Sequence, residues 1–258
     1  MIIRPRICLR LSHFDHADVR FRTRSMSALS PCCGCDYAGG PASPPAEKTP
    51  MMRPVAPTAA ALALALLPLS ANAQDVTLSF GAALSTDYLV SGQSQTGGRP
   101  AFQPYVEVGL GGFYAGVWAS NVRLDRDRTE VDLYAGFRNS VGALSYDVGY
   151  ARYFYNRSGN CCGEVLLSLG YAAPYGMTFL GDAAYDPSAE ILTASAGAEY
   201  VFPAGWSVSA EVGRVEKSRN FWNVGVGMAL NEITSLDLRV HDTNISSALV
   251  VGTVSFDF

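Results

Sequence analysis

Acidic side chains occupy alternate positions within apolar segments of this sequence. Glu130 and Asp132, for example, are interleaved with Thr129, Val131 and Leu133. Because successive side chains of a β-strand point to opposite faces, this spacing places the carboxylates on one face and the apolar groups on the other. Rings of carboxylates around a water-filled passage attract cations. The spacing therefore predicts a polar channel wall; the alternative is that the acids only solvate an inner wall or pair with arginines.

The predicted channel wall continues along most of the sequence. Acids outnumber bases on this face, and glycine, alanine, serine and threonine fill most of its other positions. Such small side chains leave room for water between the charged groups. The residues predicted to line the pore are Asp87, Glu107, Glu130, Asp132, Arg138, Asp147, Glu164, Asp182, Glu199, Glu211, Asp237 and Arg239.

Basic residues cluster near the ends of the apolar segments. Arg152 and Arg214 share the apolar face, where an arginine near the membrane rim costs only about 0–1 kcal/mol. Guanidinium groups also match the geometry of phosphate. The residues predicted to contact lipid head groups, including those of lipopolysaccharide, are Arg152, Arg214, Lys217 and Arg219. Ordinary solvated loops are the alternative interpretation.

Candidate catalytic residues are few. Residues 74–258 contain a single histidine, His241, with Asp242 and Ser246 nearby in sequence. Neighbours at a strand end do not by themselves form the geometry in which a base activates a nucleophile and a third group orients the base. This region also lacks a GxSxG motif, a phosphate-binding loop and metal-ligand spacing. The sequence therefore predicts no enzyme, no cofactor and no metal site.

Short strands are the elements that would position these side chains. From Val76, alternate positions carry Leu78, Phe80 and Leu84, and the pattern returns in segment after segment. The strand-like segments between turn-forming residues are 76–90, 100–110, 113–123, 128–139, 143–156, 163–173, 177–186, 190–202, 206–216, 220–230, 233–242 and 245–258. Such repeated alternation is typical of a barrel with hydrocarbon outside and water within.

The connections between segments support this architecture. Tight turns such as 111–112 and 203–205 alternate with more charged connections, of which 91–99 is the longest. Bacterial outer-membrane barrels have this layout, with short periplasmic turns and longer extracellular loops. We predict an all-β fold: a single antiparallel transmembrane β-barrel of about 12 strands (10–14 fit the pattern), with short periplasmic turns and modest extracellular loops. The 91–99 loop is the candidate constriction.

The sequence divides into three regions. Residues 1–50 are rich in arginine and cysteine and lack periodicity, so they are interpreted as a mis-assigned or disordered leader. Residues 51–73 resemble a secretory signal peptide, with a positive residue, an apolar run at 58–69 and a small-residue cleavage site. That run is much shorter than the ~20 residues of a membrane-spanning helix. Residues 74–258 are predicted to form the barrel.

The barrel region is acidic. It contains 11 Lys and Arg against 19 Asp and Glu, a formal charge of −8. This balance argues against nucleic acid as a partner. Cys161 and Cys162 are its two cysteines, and in an oxidising compartment they either form a vicinal disulfide or remain free thiols.

Six short blocks of the sequence stand out between residues 86 and 149: TDY (86–88), GQSQT (92–96), PAFQ (100–103), FYAGVWASNV (113–122), EVDLYAG (130–136) and LSYDVG (144–149). Together these blocks resemble the TorF porin family. The resemblance is strongest over 86–156, and Ser91 stands where the family usually carries arginine. It implies an outer-membrane channel but does not define a substrate.

Together these features predict a porin-like channel in the outer membrane of a Gram-negative bacterium, exported through the Sec pathway. Small hydrophilic solutes would diffuse through it passively, with weak cation preference. The expected partners are outer-membrane lipid and lipopolysaccharide, periplasmic chaperones, the barrel-assembly machinery and the permeating solutes. A non-conducting barrel that has a structural role, or that binds a partner through its loops, is the alternative.

Overall fold

The structure is a computed structural model that describes residues 76–258. The leader predicted at 1–50, the signal peptide predicted at 51–73 and the first two residues of the predicted barrel lie outside the described residues. Within residues 76–258, twelve long antiparallel strands form one closed barrel. The predicted fold class is therefore confirmed.

The barrel consists of β1 and β4–β14, while β2 and β3 form a separate small hairpin. The strands are β1 (Val76–Ser85), β2 (Leu89–Val90), β3 (Gln93–Ser94), β4 (Ala101–Leu110), β5 (Phe113–Leu124), β6 (Asp127–Val141), β7 (Leu144–Tyr155), β8 (Gly159–Ala172), β9 (Met177–Asp186), β10 (Ile191–Val201), β11 (Trp206–Val215), β12 (Arg219–Ala229), β13 (Thr234–Thr243) and β14 (Ser246–Asp257). A single 3₁₀ turn spans Pro174–Gly176. No helix within residues 76–258 is long and apolar enough to cross a membrane.

The barrel closes through its first strand. β1 pairs with β4 along its whole length and with β14 from Gly81 opposite Asp257 to Ser85 opposite Thr253. Every barrel strand therefore has a partner on each side. Closure matters because an open sheet edge leaves a row of unpaired backbone groups.

The outer surface of the barrel is apolar. On β1, Leu78 and Leu84 are 61% and 51% exposed, whereas Ser85, which has the opposite parity, is buried. Large exposed apolar side chains occur on all twelve barrel strands. Soluble monomers rarely expose contiguous apolar surface on this scale. The outer face is therefore suited to contact with hydrocarbon.

The two ends of the barrel differ in one long connection. We call the end with the connections 111–112, 142–143, 173–176, 202–205 and 230–233 the turn end, and the opposite end the loop end. At the loop end, every connection except 86–100 is two to four residues long. Strand pairing there continues into residues that the pattern assigns to loops, so that β8 begins at Gly159 instead of 163.

The first predicted strand, 76–90, is too long. β1 ends at Ser85, and residues 86–100, which we call the constriction segment, turn into the barrel and form the β2–β3 hairpin. Tyr88 and Val90, which the alternation assigns to the outer face, are buried inside. The hairpin turns at Ser91 and Gly92, both with positive φ, a conformation that favours glycine at the second position.

Candidate functional site

The barrel encloses a cavity of about 920 Å³ along its lumen. The wall of the cavity includes Ala173 and Phe202 at the turn end and Tyr88 and Phe221 near the loop end. Nine carboxylates and two guanidinium groups line it. The lining is therefore strongly acidic.

Arg138 on β6 is held by acids from the neighbouring strands. Its two terminal nitrogens donate to the two carboxylate oxygens of Glu107, each at 3.2 Å, and its Nε lies 3.3 Å from an oxygen of Asp147. The guanidinium also stacks 3.7 Å from the ring centroid of Tyr114, whose hydroxyl donates to Asp147 at 2.6 Å. This forked geometry suits arginine and a carboxylate, and it offsets the positive charge of Arg138.

Arg239 on β13 forms a second polar group. It contacts Asp237 at 3.0 Å and donates to Asn223 Oδ1 at 2.6 Å and to Ser209 Oγ at 2.8 Å. Asn223 in turn donates to Glu211 at 2.7 Å. Gly225 makes room for this group, because a Cβ there would lie 2.7 Å from Arg239 Cζ.

The two arginines stand on nearly opposite walls. In the strand order, β6 and β13 are separated by five steps in one direction and seven in the other. Each arginine is bonded to at least one carboxylate. Neither guanidinium therefore presents an uncompensated positive charge to the lumen.

A third group, the buried acidic cluster, consists of Glu130 and Asp132 on β6 and Glu164 on β8, all almost fully buried. The hydroxyl of Tyr155 donates to Glu130 at 2.8 Å, and that of Tyr153 donates to Glu164 at 2.9 Å. Within the described residues, neither carboxylate oxygen of Asp132 has a hydrogen-bond partner. The carboxylates are thus concentrated where charge is costly.

The constriction segment covers this cluster from the loop end. Tyr88 packs edge-on against Trp118, with ring centroids 5.4 Å apart. Burial raises the pKa of Tyr88 well above its usual range, and the carboxylates of Glu130 and Asp132 raise it further. The Tyr88 phenol therefore stays protonated and neutral at physiological pH.

Hydrogen bonds fix the segment in place. Asp87 accepts bonds from Ser94 Oγ at 2.7 Å and Thr96 Oγ1 at 2.5 Å. From β12, three strands away from β1 in the barrel, the Arg219 guanidinium donates to the carbonyls of Ser91 at 2.9 Å and Val90 at 3.1 Å. These contacts join the segment to itself and to β12.

One family covers nearly the whole described region. A family described as "Bacterial protein of unknown function (Gcw_chp)" matches residues 70–257. The chain belongs to the Gcw_chp family. No curated protein matches this chain.

Solved porins share the fold of this Gcw_chp protein. The KdgM porin aligns with a TM-score of 0.54 and 10% sequence identity, over 70% of this chain and 98% of the porin chain. A KdgM porin in complex with disordered oligogalacturonate aligns with a TM-score of 0.53, again with 10% identity, 70% of this chain and 98% of the porin. At this identity the likeness shows a porin-like barrel fold.

The predicted pore residues of the Gcw_chp barrel lie in three settings. Asp87 lines the cavity from the constriction segment, not from the barrel wall. Glu130 and Glu164 are buried in the acidic cluster. The others, including Asp132 of that cluster, line the cavity from the barrel wall: Glu107, Asp132, Arg138, Asp147, Asp182, Glu199, Glu211, Asp237 and Arg239.

The predicted lipid contacts separate into two kinds. Arg214 and Lys217 are exposed, and Arg152 lies on the outer parity of β7, where its Nε donates to Asn160 at 2.6 Å. Arg219 is different, since it is only 3% exposed and points inward. Its assignment to lipid head groups is wrong, because β12 begins one residue earlier than predicted and pairs Arg219 with Val215, which is also buried.

Aromatic side chains of the lumen are missing from the predicted pore residues. Tyr114, Trp118 and Tyr153 line the cavity. Trp118 and Tyr153 lie opposite Asp132 on the two neighbouring strands. Strand parity identifies Tyr153 as a lumen residue, because it lies two residues from both Ala151 and Tyr155 and therefore shares their face.

The adjacent cysteines lie at the start of β8. Cys161 and Cys162 form a disulfide, and Cys162 packs in the apolar cluster around Tyr88 and Trp118. Of the two alternatives left open by the sequence, the structure contains the disulfide.

Proposed function

We propose that this Gcw_chp protein is an outer-membrane porin-like channel through which small hydrophilic solutes diffuse passively. The observation that carries the proposal is a closed barrel with an apolar outer face around an acidic cavity of about 920 Å³. Interiors of eight-stranded barrels are just filled by side chains, and twelve strands enclose more space. No energy source or cofactor is needed for such diffusion.

We further propose a weak preference for cations. Nine carboxylates line the cavity against two guanidinium groups, and both arginines are bonded to acids. Acidic rings favour cations in a pore. Oligogalacturonate, which is bound in the KdgM complex, is anionic and would be repelled by such rings. We therefore do not propose it as a solute of this chain.

Planar-bilayer recording of the refolded protein tests both statements. We expect discrete single-channel steps and, in a potassium chloride gradient, a reversal potential of the sign produced by potassium permeation. An anion-favouring reversal potential would contradict the cation preference while leaving the channel intact.

A non-conducting barrel is the second candidate function. The constriction segment supports it, because this segment fills part of the lumen and is held to β12 by Arg219. Liposome swelling with small sugars separates the two candidates. Swelling supports the channel, whereas a correctly folded barrel that causes none supports a structural or loop-binding role.

The cellular setting is part of the proposal. We infer residence in the outer membrane of a Gram-negative bacterium, export through the Sec pathway, and insertion by periplasmic chaperones and the barrel-assembly machinery. The exposed positions of Arg214 and Lys217, together with Arg152, support contact with lipopolysaccharide phosphates. The finer kinship to the TorF porin family is proposed on the sequence blocks within 86–156. Membrane fractionation tests the location, and recovery of a freely dissolved periplasmic monomer would contradict it.

A further inference from the structure

The buried acidic cluster contains a carboxylate that the protein itself leaves unbonded. Asp132 is 0% exposed, and neither of its oxygens has a hydrogen-bond partner among the described residues. Its neighbours Glu130 and Glu164 accept hydrogen bonds from the hydroxyls of Tyr155 and Tyr153, respectively. A buried charge is costly unless it is paired. Asp132 therefore points to a positively charged ligand.

A second buried group without a hydrogen-bond partner in the described region, the hydroxyl of Tyr88, lies beside the acidic cluster. The hydroxyl of Tyr88 is buried and has no hydrogen-bond partner among residues 76–258. Tyr88 packs against Trp118, which is paired with Asp132 across β5 and β6, and this places the phenol beside the cluster. Because Tyr88 belongs to the constriction segment and not to a barrel strand, it covers the carboxylates without being built into the wall.

The chemistry of the surroundings narrows the class of cation. Trp118 and Tyr153 lie on either side of Asp132, and aromatic faces attract organic cations. A protonated amine has three N–H donors for carboxylate and phenol oxygens.

We propose that Asp132, with Glu130, Glu164 and the flanking aromatic rings, forms a binding site for the ammonium group of a small aliphatic amine. The amine enters along the acidic lumen, its ammonium group displaces Tyr88 from above the carboxylates, and its chain lies in the cavity below. This inference rests on the proposed channel, which provides the route of entry. It deepens the proposed function by assigning a chemical class to the preferred solute.

Titration with putrescine, a short diamine, tests the site. Tryptophan fluorescence of the refolded full-length chain is followed in detergent, and a Trp118→Phe variant identifies the contribution of that ring among the three tryptophans. We expect a saturable change that is lost in Trp118→Phe. In Asp132→Asn, saturation should need about tenfold more putrescine, since an amide bears no charge. Glu216→Gln, which removes an exposed carboxylate at the loop end, should match the native protein.

Several outcomes would overturn the site. One is equal putrescine affinity in the native protein, Asp132→Asn and Glu216→Gln. Others are the same fluorescence change with uncharged 1,4-butanediol, or with potassium chloride at matched ionic strength. The heat-modifiable gel mobility of a folded barrel shows whether Asp132→Asn has folded. If it has not, Glu130→Gln is tested in its place. Native putrescine affinity in Glu130→Gln would then overturn the proposal.

Conductance of the same preparations separates this inference from the proposed function. Saturable putrescine binding without single-channel conductance would overturn the channel and leave the binding site standing. Conductance with no putrescine response would overturn the site alone.

Discussion

Charge pairing distinguishes the carboxylates of the lumen from one another. Glu107 and Asp147 share Arg138, and Asp237 is bonded to Arg239, whereas Asp132 has no hydrogen-bond partner among residues 76–258. An unpaired buried charge costs far more than a paired one. The effect of substituting one charged residue therefore depends on whether its partner is left buried without a counter-ion.

Arg138→Ala should both destabilise the barrel and strengthen the proposed cation preference. It leaves Glu107 and Asp147 buried without their counter-ion, at an expected loss of about 3 kcal/mol in the free energy of unfolding. Urea unfolding measures the first effect and the reversal potential measures the second. Arg214→Ala, on the exposed outer face, is the control. An equal loss in both variants would show that the pairing contributes nothing.

Gly225→Ala should displace the guanidinium of Arg239. The new Cβ would lie 2.7 Å from Arg239 Cζ, so the guanidinium must shift, which weakens its bonds to Ser209 and Asn223. We expect a loss of at most about 1.5–3 kcal/mol, the range for hydrogen bonds to charged groups. Gly181→Ala is a matched strand control, because a Cβ there meets nothing within 4 Å. Equal stability of the two variants in urea would refute this role for Gly225.

At the scale of elements, the constriction segment decides how wide the lumen is. It carries Tyr88 and Val90 inside the barrel and packs against Trp118. Its link to β12 depends on two hydrogen bonds from Arg219 to backbone carbonyls. The segment is therefore held by a small number of identifiable contacts.

Arg219→Ala should loosen the segment and widen the pore. Removing the guanidinium deletes both bonds to Val90 and Ser91, each worth about 1.5–3 kcal/mol with a charged donor. We expect higher single-channel conductance and larger current fluctuations. Arg214→Ala on the outer face should conduct like the native protein, and native conductance in Arg219→Ala would show that Arg219 does not restrain the segment.

The elements also show where sequence pattern and structure diverge. The alternation from Val76 to Val90 is continuous, so the sequence predicts one strand, yet pairing with β14 begins at Gly81 and β1 ends at Ser85. Beyond Ser85 the same parity leads into the lumen. Periodicity reports which side chains share a face, but it cannot report where a strand leaves the sheet.

At the scale of the whole molecule, the apolar surface faces outward on all twelve strands. This distribution is stable only if hydrocarbon surrounds the barrel. The depth of an outer-face residue in the bilayer should therefore decide how well it tolerates a charge.

Leu238→Arg and Ile245→Arg test this dependence on depth. Leu238 is in the middle of β13 and Ile245 is in the loop-end connection before β14, and both are about equally exposed, at 60% and 61%. In lipid vesicles, arginine should cost about 2–4 kcal/mol at the middle and about 0–1 kcal/mol near the rim. Urea unfolding in vesicles measures the difference. Equal costs would contradict a membrane-spanning barrel.

Period-two alternation and turn residues are local properties, so the sequence alone predicts about twelve strands, an inside-out polarity and an acidic lumen. Three features appear only in the folded barrel: residues 86–100 turn inward, Arg219 points to them instead of to lipid, and Asp132 alone of the acidic cluster accepts no hydrogen bond. These features depend on contacts between residues as far apart as 90 and 219. Such contacts arise when the barrel closes, and no local pattern encodes them.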